Sequence, residues 1–326
     1  MIHKKPHVVV LGGGTGIYPV VSAFSKLHVS LATIVAVTDS GGSAGRIRDE
    51  FGFPPVGDLR QSLAAIADPV SQAWISKILL YRFSKGTGLK GHNLGNLILT
   101  ALQDMTGSTT EALDIARTIF HLKGRVIPVT ESPVNLEISY TDGSVAVGEH
   151  ILDEDTPELR PIDHVRLIPE APLNPLVGKA LTTADLIIIG PGDYFASLQA
   201  VLVAPGMKAA FKKVKAPIAY IVNLMTRHTQ THDMTAAQHA MGIEKSIGKK
   251  LTHILCNNEP IAAEVIARYA AEHEFPVVDD LGADSRVMRI PLISELIQEK
   301  DSTDTCHRSL LRHDEAKLLQ VLQTLL

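Results

Sequence analysis

Cysteine and long apolar runs are nearly absent from this chain of 326 residues. The two cysteines, Cys256 and Cys306, lie far apart and form no metal motif, a usage that is typical of a reducing cytoplasm. No apolar run approaches the roughly 20 residues that cross a bilayer. Because no separate apolar segment with a small-residue cleavage site precedes the first predicted strand, we expect no signal peptide. We therefore expect a cytoplasmic protein without a membrane span.

Aromatic residues and excess charge are also scarce. Aromatic side chains make up 5% of the chain, and none is placed so that it identifies a base-stacking position. The 31 basic and 35 acidic residues give a net charge of −4, which argues against a nucleic-acid partner. The motifs H-E-x-x-H, G-x-S-x-G and the lysine-bearing phosphate loop are missing, so those three enzyme classes are not predicted.

Short β-branched runs alternate with helical patterns along most of the chain. This alternation predicts an α/β fold, built on a doubly wound and mostly parallel sheet. The predicted strands are Val8–Leu11, Thr33–Thr38, Arg125–Thr130, Leu186–Ile189, Ile218–Asn223, His253–Cys256 and Val287–Ile290. The predicted helices are Ile17–Leu27, Ser71–Phe83, Asn96–Asp104, Thr109–Leu122, Thr235–Ile247, Pro260–His273 and His313–Leu326.

One segment breaks the alternation. Residues Val134–Ile151 alternate polar and apolar side chains around Thr141–Ser144, a turn by composition. This pattern predicts a β-hairpin inside a β insertion that covers about residues 132–170. Because no convincing linker or repeat is present, we expect residues 1–326 to form a single domain.

Two glycine-rich loops follow the first two predicted strands, 27 positions apart. Loops at the carboxyl ends of parallel strands converge on one crevice, and glycine lets backbone N–H groups approach phosphate oxygens. Two such loops in one crevice predict a phosphorylated ligand, such as a nucleotide or a nucleotide-sugar. The candidate ligand-binding residues are Gly12, Gly13, Gly14, Thr15 and Gly16 in the first loop, and Asp39, Ser40, Gly41, Gly42 and Ser43 in the second.

The first loop does not meet the dinucleotide fingerprint. If Gly12 and Gly14 fill the first two glycine positions, the third falls on Ile17, so a nicotinamide enzyme is a weak interpretation. The structural alternative is a tight turn from strand to helix that contacts no ligand.

Charged side chains in and near the second loop allow two kinds of role. Asp39 can accept hydrogen bonds from a ribose or hold a metal ion, and the alternative is a turn or cap role. Arg46 and Arg48 can neutralise phosphate or lie on a solvated helix face. Asp58 is a candidate metal or hydroxyl ligand, and it can equally cap the helix that follows.

Further candidates lie beyond these loops. His92, Asn93 and Asn96 suit recognition of sugar or phosphate oxygens, or cap a helix. The loop containing Gly190 and Gly192 follows another strand-like run, and Asn223 ends the next one. We expect these positions to lie at the same edge of the sheet as the first two loops. For the loop containing Gly190 and Gly192, the alternative is a Pro-Gly turn without a ligand.

The chain resembles the CofD/YvcK family in five motifs that occur in order over nearly its whole length. These are Gly12–Gly16, Thr38–Ser43, Gly57–Arg60, Gly91–Asn96 and Gly190–Gly192. The resemblance implies a Rossmann-like three-layer α/β/α core. One branch of the family contains 2-phospho-lactate transferases of deazaflavin coenzyme synthesis. The other contains gluconeogenesis factors, which bind UDP-sugars, have no accepted enzymatic activity and are implicated in cell shape and envelope precursor supply.

The second loop separates the two branches. The transferases typically carry consecutive acidic residues there, whereas Asp39–Ser43 is similar to the gluconeogenesis-factor pattern. The resemblance therefore implies a UDP-sugar-binding regulator with a protein partner, with Arg312 as a further ligand candidate, and we expect a homo-oligomer. The alternative is a Mg²⁺-dependent transferase, with Asp39 and Asp58 as candidate catalytic residues and Asp39 as the candidate metal ligand. Asp193 and the run Asn223–Thr231 depart from the family pattern.

Overall fold

A computed structural model describes residues 5–68, 71–153, 158–296 and 309–326, and Cys306 lies outside these ranges. The strands are β1 (His7–Gly12), β2 (Ser30–Val35), β3 (Arg125–Pro128), β4 (Asn135–Tyr140), β5 (Val145–Val147), β6 (Ile162–Ile168), β7 (Leu186–Ile189), β8 (Ile218–Ile221), β9 (His253–Asn257) and β10 (Val287–Ile290). Seven of them form one parallel sheet in the order β10-β9-β8-β7-β1-β2-β3. The four residues of β7 are fully buried, as expected for a parallel strand covered on both faces.

Helices flank this sheet. They are α1 (Tyr18–Ser25), α2 (Gly42–Phe51), α3 (Gly57–Ile66), α4 (Ala73–Leu80), α5 (Leu94–Thr106), α6 (Thr109–Ile119), α7 (Pro175–Thr183), α8 (Ala200–Leu202), α9 (Met207–Phe211), α10 (His228–Thr231), α11 (Ala236–Ile247), α12 (Ala263–Ala270) and α13 (Glu315–Gln323). Helix α1 packs on α3 and α13, whereas α9 packs on α7 and α11. Within the described ranges, no helix combines the length and apolar character needed to cross a bilayer.

The strand order reverses direction between β1 and β7. From β1 the chain proceeds outward through β2 to β3, and from β7 it proceeds the other way through β8 and β9 to β10. Right-handed crossovers in opposite directions place their helices on opposite faces of the sheet. The result is the predicted three-layer α/β/α fold, with a topological switch point between β1 and β7.

The insertion is a three-stranded antiparallel sheet in the order β5-β4-β6. Leu136 and Ile138 on β4 are fully buried and belong to the same core cluster as β1. The predicted hairpin was correct for β4 and β5 but wrong beyond Val147. Gly148, with φ +117°, turns the chain into a 3₁₀ turn over Glu149–Asp153, and the sequence analysis missed β6.

Three predicted strands extend past the real sheet. Strand β2 starts at Ser30 and ends at Val35, β3 ends at Pro128, and β8 ends at Ile221. The apolar runs continue because Val37 and Val222 are still buried, although the neighbouring strands have ended. Burial alone does not mark the end of a strand, because a strand ends where its hydrogen-bonded neighbour ends. The seven predicted helices and the other strands match apart from their ends, whereas α2, α3 and α7 to α10 had no predicted range.

We predict that the insertion unfolds together with the main sheet, as expected for a single domain. Leu136→Ala should lower the free energy of unfolding by about 2–5 kcal/mol, because it opens a cavity in the shared core. Val145→Ala is the control, since Val145 is 55% exposed. Urea denaturation followed by circular dichroism and by fluorescence should give one coincident transition. Two separate transitions would contradict the single-domain prediction.

Candidate functional site

A cleft lies across the switch point at the carboxyl ends of the strands. The loops after β1, β2, β7 and β8 line it, together with the 3₁₀ turn of the insertion and residues 309–313. This is the position where open α/β sheets bind ligands. Of the predicted site residues, the following line the cleft: Gly13, Gly14, Thr15, Gly16, Asp39, Gly41, Ser43, Asp58, Asn96, Gly192, Asn223 and Arg312.

The glycine loop after β1 is shaped by two close approaches. Gly14 has a φ of +56°, in the region that glycine adopts at no steric cost. A Cβ on Gly16 would lie 2.7 Å from the Pro191 carbonyl oxygen and would overlap Gly192. The loops after β1 and β7 therefore touch through backbone atoms, and a side chain on Gly16 would separate them.

The backbone amides of this loop are available to a ligand. Among the described residues, none accepts a hydrogen bond from the N–H groups of Gly13, Gly14 or Thr15. Helix α1 begins directly after the loop, and its N-cap residue, Ile17, has no capping side chain. Such a loop at a helix N-terminus is suited to binding an anion or an electronegative oxygen.

A π-helical turn follows the third loop. It covers Tyr194–Gln199, and Gln230 accepts hydrogen bonds from the backbone N–H groups of Phe195 (3.2 Å) and Ala196 (3.3 Å) at its start. π-Helical turns are frequent at functional sites. Tyr194, Ala196 and Ser197 line the cleft beside the glycine loops.

Asp39 and Asp58 both line the cleft. Asp58 lies in the first turn of α3, whose N-cap is Val56, so the proposed capping role of Asp58 was wrong. Its carboxylate lies against Gly13 and would overlap a Cβ there. Asp39 accepts a hydrogen bond from the Gly41 N–H group (3.0 Å), and burial raises the pKa of its carboxyl group.

The motif containing His92, Asn93 and Asn96 mostly supports the site from behind. The Ser43 hydroxyl is 3.3 Å from His92 Nδ1, and it accepts hydrogen bonds of the same length from the Asn93 backbone N–H and from Asn96 Nδ2. Asn93 also caps α5. Desolvation and the nearby Arg46 guanidinium lower the pKa of His92. The capping alternative is therefore confirmed for Asn93, while Asn96 also reaches the cleft wall.

Arg60 is a buried cation that the sequence analysis did not single out. The side chain lines the cleft although the residue is only 5% exposed. Its Nε donates to Asn96 Oδ1 (2.7 Å) and its Nη1 donates to the Leu79 carbonyl (3.2 Å). A sequence signal existed, because Arg60 ends the motif that was considered only for Asp58.

The insertion also contributes to the site, which the sequence analysis missed. Glu149 and Asp153 line the cleft from the 3₁₀ turn. Arg227 lies between two carboxylates, donating from Nη2 to Asp153 (2.7 Å) and from Nη1 to Asp193 (3.2 Å). The segment after β5 and the loop after β8 are distant in sequence, so only the fold brings these charges together.

The far end of the cleft is formed by the loop after β8 and the C-terminal segment. Asn223 donates from Nδ2 to the Gly192 carbonyl (2.9 Å), which fixes the third loop. His313 donates from Nε2 to the Val222 carbonyl (3.1 Å), and burial lowers its pKa to about 4. Arg312 lines the cleft beside it.

Several predicted ligand-binding residues lie behind the cleft wall or beside it. Gly12 ends β1, and its carbonyl accepts a hydrogen bond from Ala36 N–H (3.4 Å). Arg46 is exposed on α2, and Gly190 forms the turn before Gly192. The Ser40 hydroxyl accepts a hydrogen bond from the His150 backbone N–H. His92 and Asn93 support Ser43 as described above, and Gly42 begins α2.

The oxygen atoms of Asp39 decide whether this residue is suited to hold a metal ion. Carboxylate oxygens are suitable Mg²⁺ ligands, and Mg²⁺ is commonly held by one or two carboxylates together with substrate phosphates. Asp39 and Asp58 fit that limited role. Within the part of the chain that the structure describes, no three histidine, cysteine or acidic side chains are grouped so that they could hold a metal ion by themselves.

Comparison with known proteins gives the family. The family model described as 2-phospho-L-lactate transferase CofD matches residues 8–297. The gluconeogenesis factor of Bacillus subtilis is 34% identical over 326 residues, covering 99% of both chains. The gluconeogenesis factor of Halalkalibacterium halodurans is 34% identical over 280 residues, 85% of each chain. A crystal structure of a UPF0052-family protein from Bacillus halodurans superimposes with a TM-score of 0.88, at 30% identity, and covers 98% of this chain and 99% of that chain.

The chain therefore belongs to the CofD family. Within that family, its curated full-length relatives are named gluconeogenesis factors rather than transferases. The branch predicted from the second glycine loop is thus confirmed.

We predict that Arg60 stabilises the folded protein through Asn96. Arg60→Met should lower the free energy of unfolding by about 1–3 kcal/mol, because the buried Asn96 and Leu79 acceptors lose their donor. Chemical denaturation is the measurement, and Arg268→Gln on the exposed side of α12 is the control. Equal stabilities for both variants would show that this network contributes nothing.

We predict that His313 makes the protein less stable in acid. Its pKa is about 4 in the folded protein and ordinarily 6.5, so below pH 6.5 the unfolded chain binds a proton that the folded chain does not. The contribution of His313 to the free energy of unfolding is complete above pH 6.5. It falls by up to ~1.4 kcal/mol per pH unit as the pH decreases toward 4. His313→Gln should flatten this part of the stability curve, whereas His28→Gln at an exposed position should not. Parallel curves for wild type and His313→Gln would refute the assignment.

Proposed function

We propose that the protein binds a nucleotide-sugar of the UDP-sugar class in this cleft and acts as a cytoplasmic regulator. The observation that carries the proposal is the contact between the glycine loops after β1 and β7 at the switch point. That contact presents backbone amides of the first loop, which have no acceptor among the described residues, to a cleft that the buried Arg60 also lines. Amide groups and a guanidinium are suited to diphosphate oxygens, and Asp39 is suited to ribose hydroxyls.

A regulator needs its ligand state to be sensed elsewhere. The cleft is formed by loops from both halves of the sheet and by the insertion, so a bound ligand would fix their relative positions. A ligand can shift a conformational equilibrium only by its differential affinity for the two states. We propose that the ligand-bound arrangement is recognised by a protein partner linked to envelope precursor supply, and that the protein self-associates.

A second candidate function is phosphoryl-group transfer assisted by Mg²⁺. The specific observation in its favour is that the carboxylates of Asp39 and Asp58 lie beside the glycine loops. A Mg²⁺ ion held there would neutralise charge developing on a phosphate. The family model carries a transferase description, which supports this alternative at the level of the family alone.

Calorimetric titration distinguishes the two functions. UDP-N-acetylglucosamine, UDP-glucose, GDP and NAD should be titrated with and without Mg²⁺, and the ligand should then be recovered and analysed. We expect micromolar binding of a UDP-sugar that is recovered intact. Failure of every UDP-sugar to bind would refute the proposal, and binding of GDP alone in the presence of Mg²⁺ would favour the transferase.

We predict that Gly16→Ala weakens nucleotide-sugar binding at least ~10-fold, because a methyl group there would separate the two loops that form the floor. Gly178→Ala on α7 is the matched control, since a Cβ there has no neighbour within 4 Å. Both variants should be checked by circular dichroism before titration. Unchanged affinity in folded Gly16→Ala would show that the loop contact does not shape the binding site.

A further inference from the structure

The 3₁₀ turn Glu149–Asp153 is attached to both sides of the cleft. On one side, the Ser40 hydroxyl accepts a hydrogen bond from the His150 N–H group (3.0 Å), in the loop after β2. On the other side, Thr229 donates from Oγ1 to the Leu152 carbonyl (2.5 Å), and Arg227 pairs with Asp153. The loops after β2 and β8 lie on opposite sides of the switch point. A ligand that extends along the cleft therefore passes next to this turn.

The turn adds two carboxylates to three that the main sheet already supplies. Together these five side chains form what we call the acidic band: Asp39, Asp58, Glu149, Asp153 and Asp193. All five line the cleft. Arg227 is already paired with two of them, so it is neutralised within the band. The band is consequently an electronegative part of a cleft that Arg60, on the same helix as Asp58, and Arg312 also line.

The pKa of Glu149 is sensitive to the electrostatic field of the acidic band. Burial raises its pKa well above the ordinary value, and the next causes are the charges of the other four members of the band. The field that makes a negative charge unfavourable on Glu149 would act in the same way on a carboxylate of a ligand.

The arrangement of the band indicates what it recognises. Across the described residues, no three of its carboxylates are grouped so that they could hold a metal ion by themselves. Several carboxylates that line one cleft are instead suited to several hydroxyl groups, each of which donates one hydrogen bond to a carboxylate oxygen. A polar site of this kind discriminates strongly against an analogue that cannot make those bonds.

We propose that the turn Glu149–Asp153 is a specificity-determining element, which accepts an uncharged polyhydroxyl group and rejects one that bears a carboxylate. This inference rests on the proposed nucleotide-sugar function. It assigns the β insertion a direct role in choosing the sugar, while the glycine loops hold the nucleotide. The substrate class that follows is a nucleotide linked to a neutral sugar rather than to a uronic acid.

The test compares two ligands that differ in one group. UDP-glucose and UDP-glucuronate share the nucleotide and the sugar ring, but C6 carries a hydroxymethyl group in one and a carboxylate in the other. Dissociation constants should be measured by calorimetry at pH 8, for the wild type and for the Glu149→Gln/Asp153→Asn double variant. Asp163→Asn on β6 is the control, since its side chain is 65% exposed. UDP alone serves as a third ligand that does not involve the sugar.

We expect the wild type to prefer UDP-glucose by at least ~10-fold, since like charges placed together are strongly unfavourable. The double variant should reduce this preference at least ~3-fold while its affinity for UDP stays within ~3-fold of the wild type. Asp163→Asn should keep the full preference. The inference would be overturned if the wild type bound UDP-glucose and UDP-glucuronate equally well, or if the double variant kept the full preference. In either case, binding of UDP would still support the proposed function. If neither UDP nor either sugar nucleotide bound, both proposals would be refuted together.

Discussion

The architecture of the cleft depends on a backbone contact between two loops that lack side chains at the point of contact. Gly16 and Gly192 meet where the strand order of the sheet reverses, and a single Cβ on Gly16 would overlap its neighbour. This contact fixes the distance between the loops after β1 and β7. The π-helical turn that follows Asp193 and the first turn of α3 pack against the same glycine loop, so their positions depend on it as well.

Around this contact, the site is built in two shells. The inner shell consists of backbone amides, carboxylates and Arg60, which line the cleft. Asn93 and Gln230 lie behind them and accept hydrogen bonds from backbone N–H groups, whereas Ser43 and Asn96 line the cleft and also bind their neighbours. Buried polar side chains are stable only when their hydrogen bonds are satisfied. This requirement explains why the motif with Asn93 and Asn96 resembles a ligand-binding sequence, although most of its polar groups form hydrogen bonds within the protein.

The parts of the fold that could be predicted from the sequence are those fixed by local patterns. Val8–Leu11 and Leu186–Ile189 are short, continuous apolar runs, and both became central strands because two faces of the sheet are covered. The glycine loops were predicted for the same local reason. The roles of Glu149, Asp153 and Arg227 could not be predicted, since they arise when an insertion from one side of the sheet reaches a loop on the other. The end of β2 was also missed, because the length of a strand depends on its partners.

The strand order has a consequence for how the chain folds during synthesis. Val8 on β1 pairs with Leu186 on β7, so the central pairing joins positions that are far apart in sequence. Contacts of such long sequence separation form slowly, because a large loop must close before they are gained. Strand β1 can pair with β2 early, but its other edge has no partner until β7 has been synthesised. The nascent chain therefore exposes one edge of β1 through more than half of its synthesis, and the ligand cleft is among the last features to form.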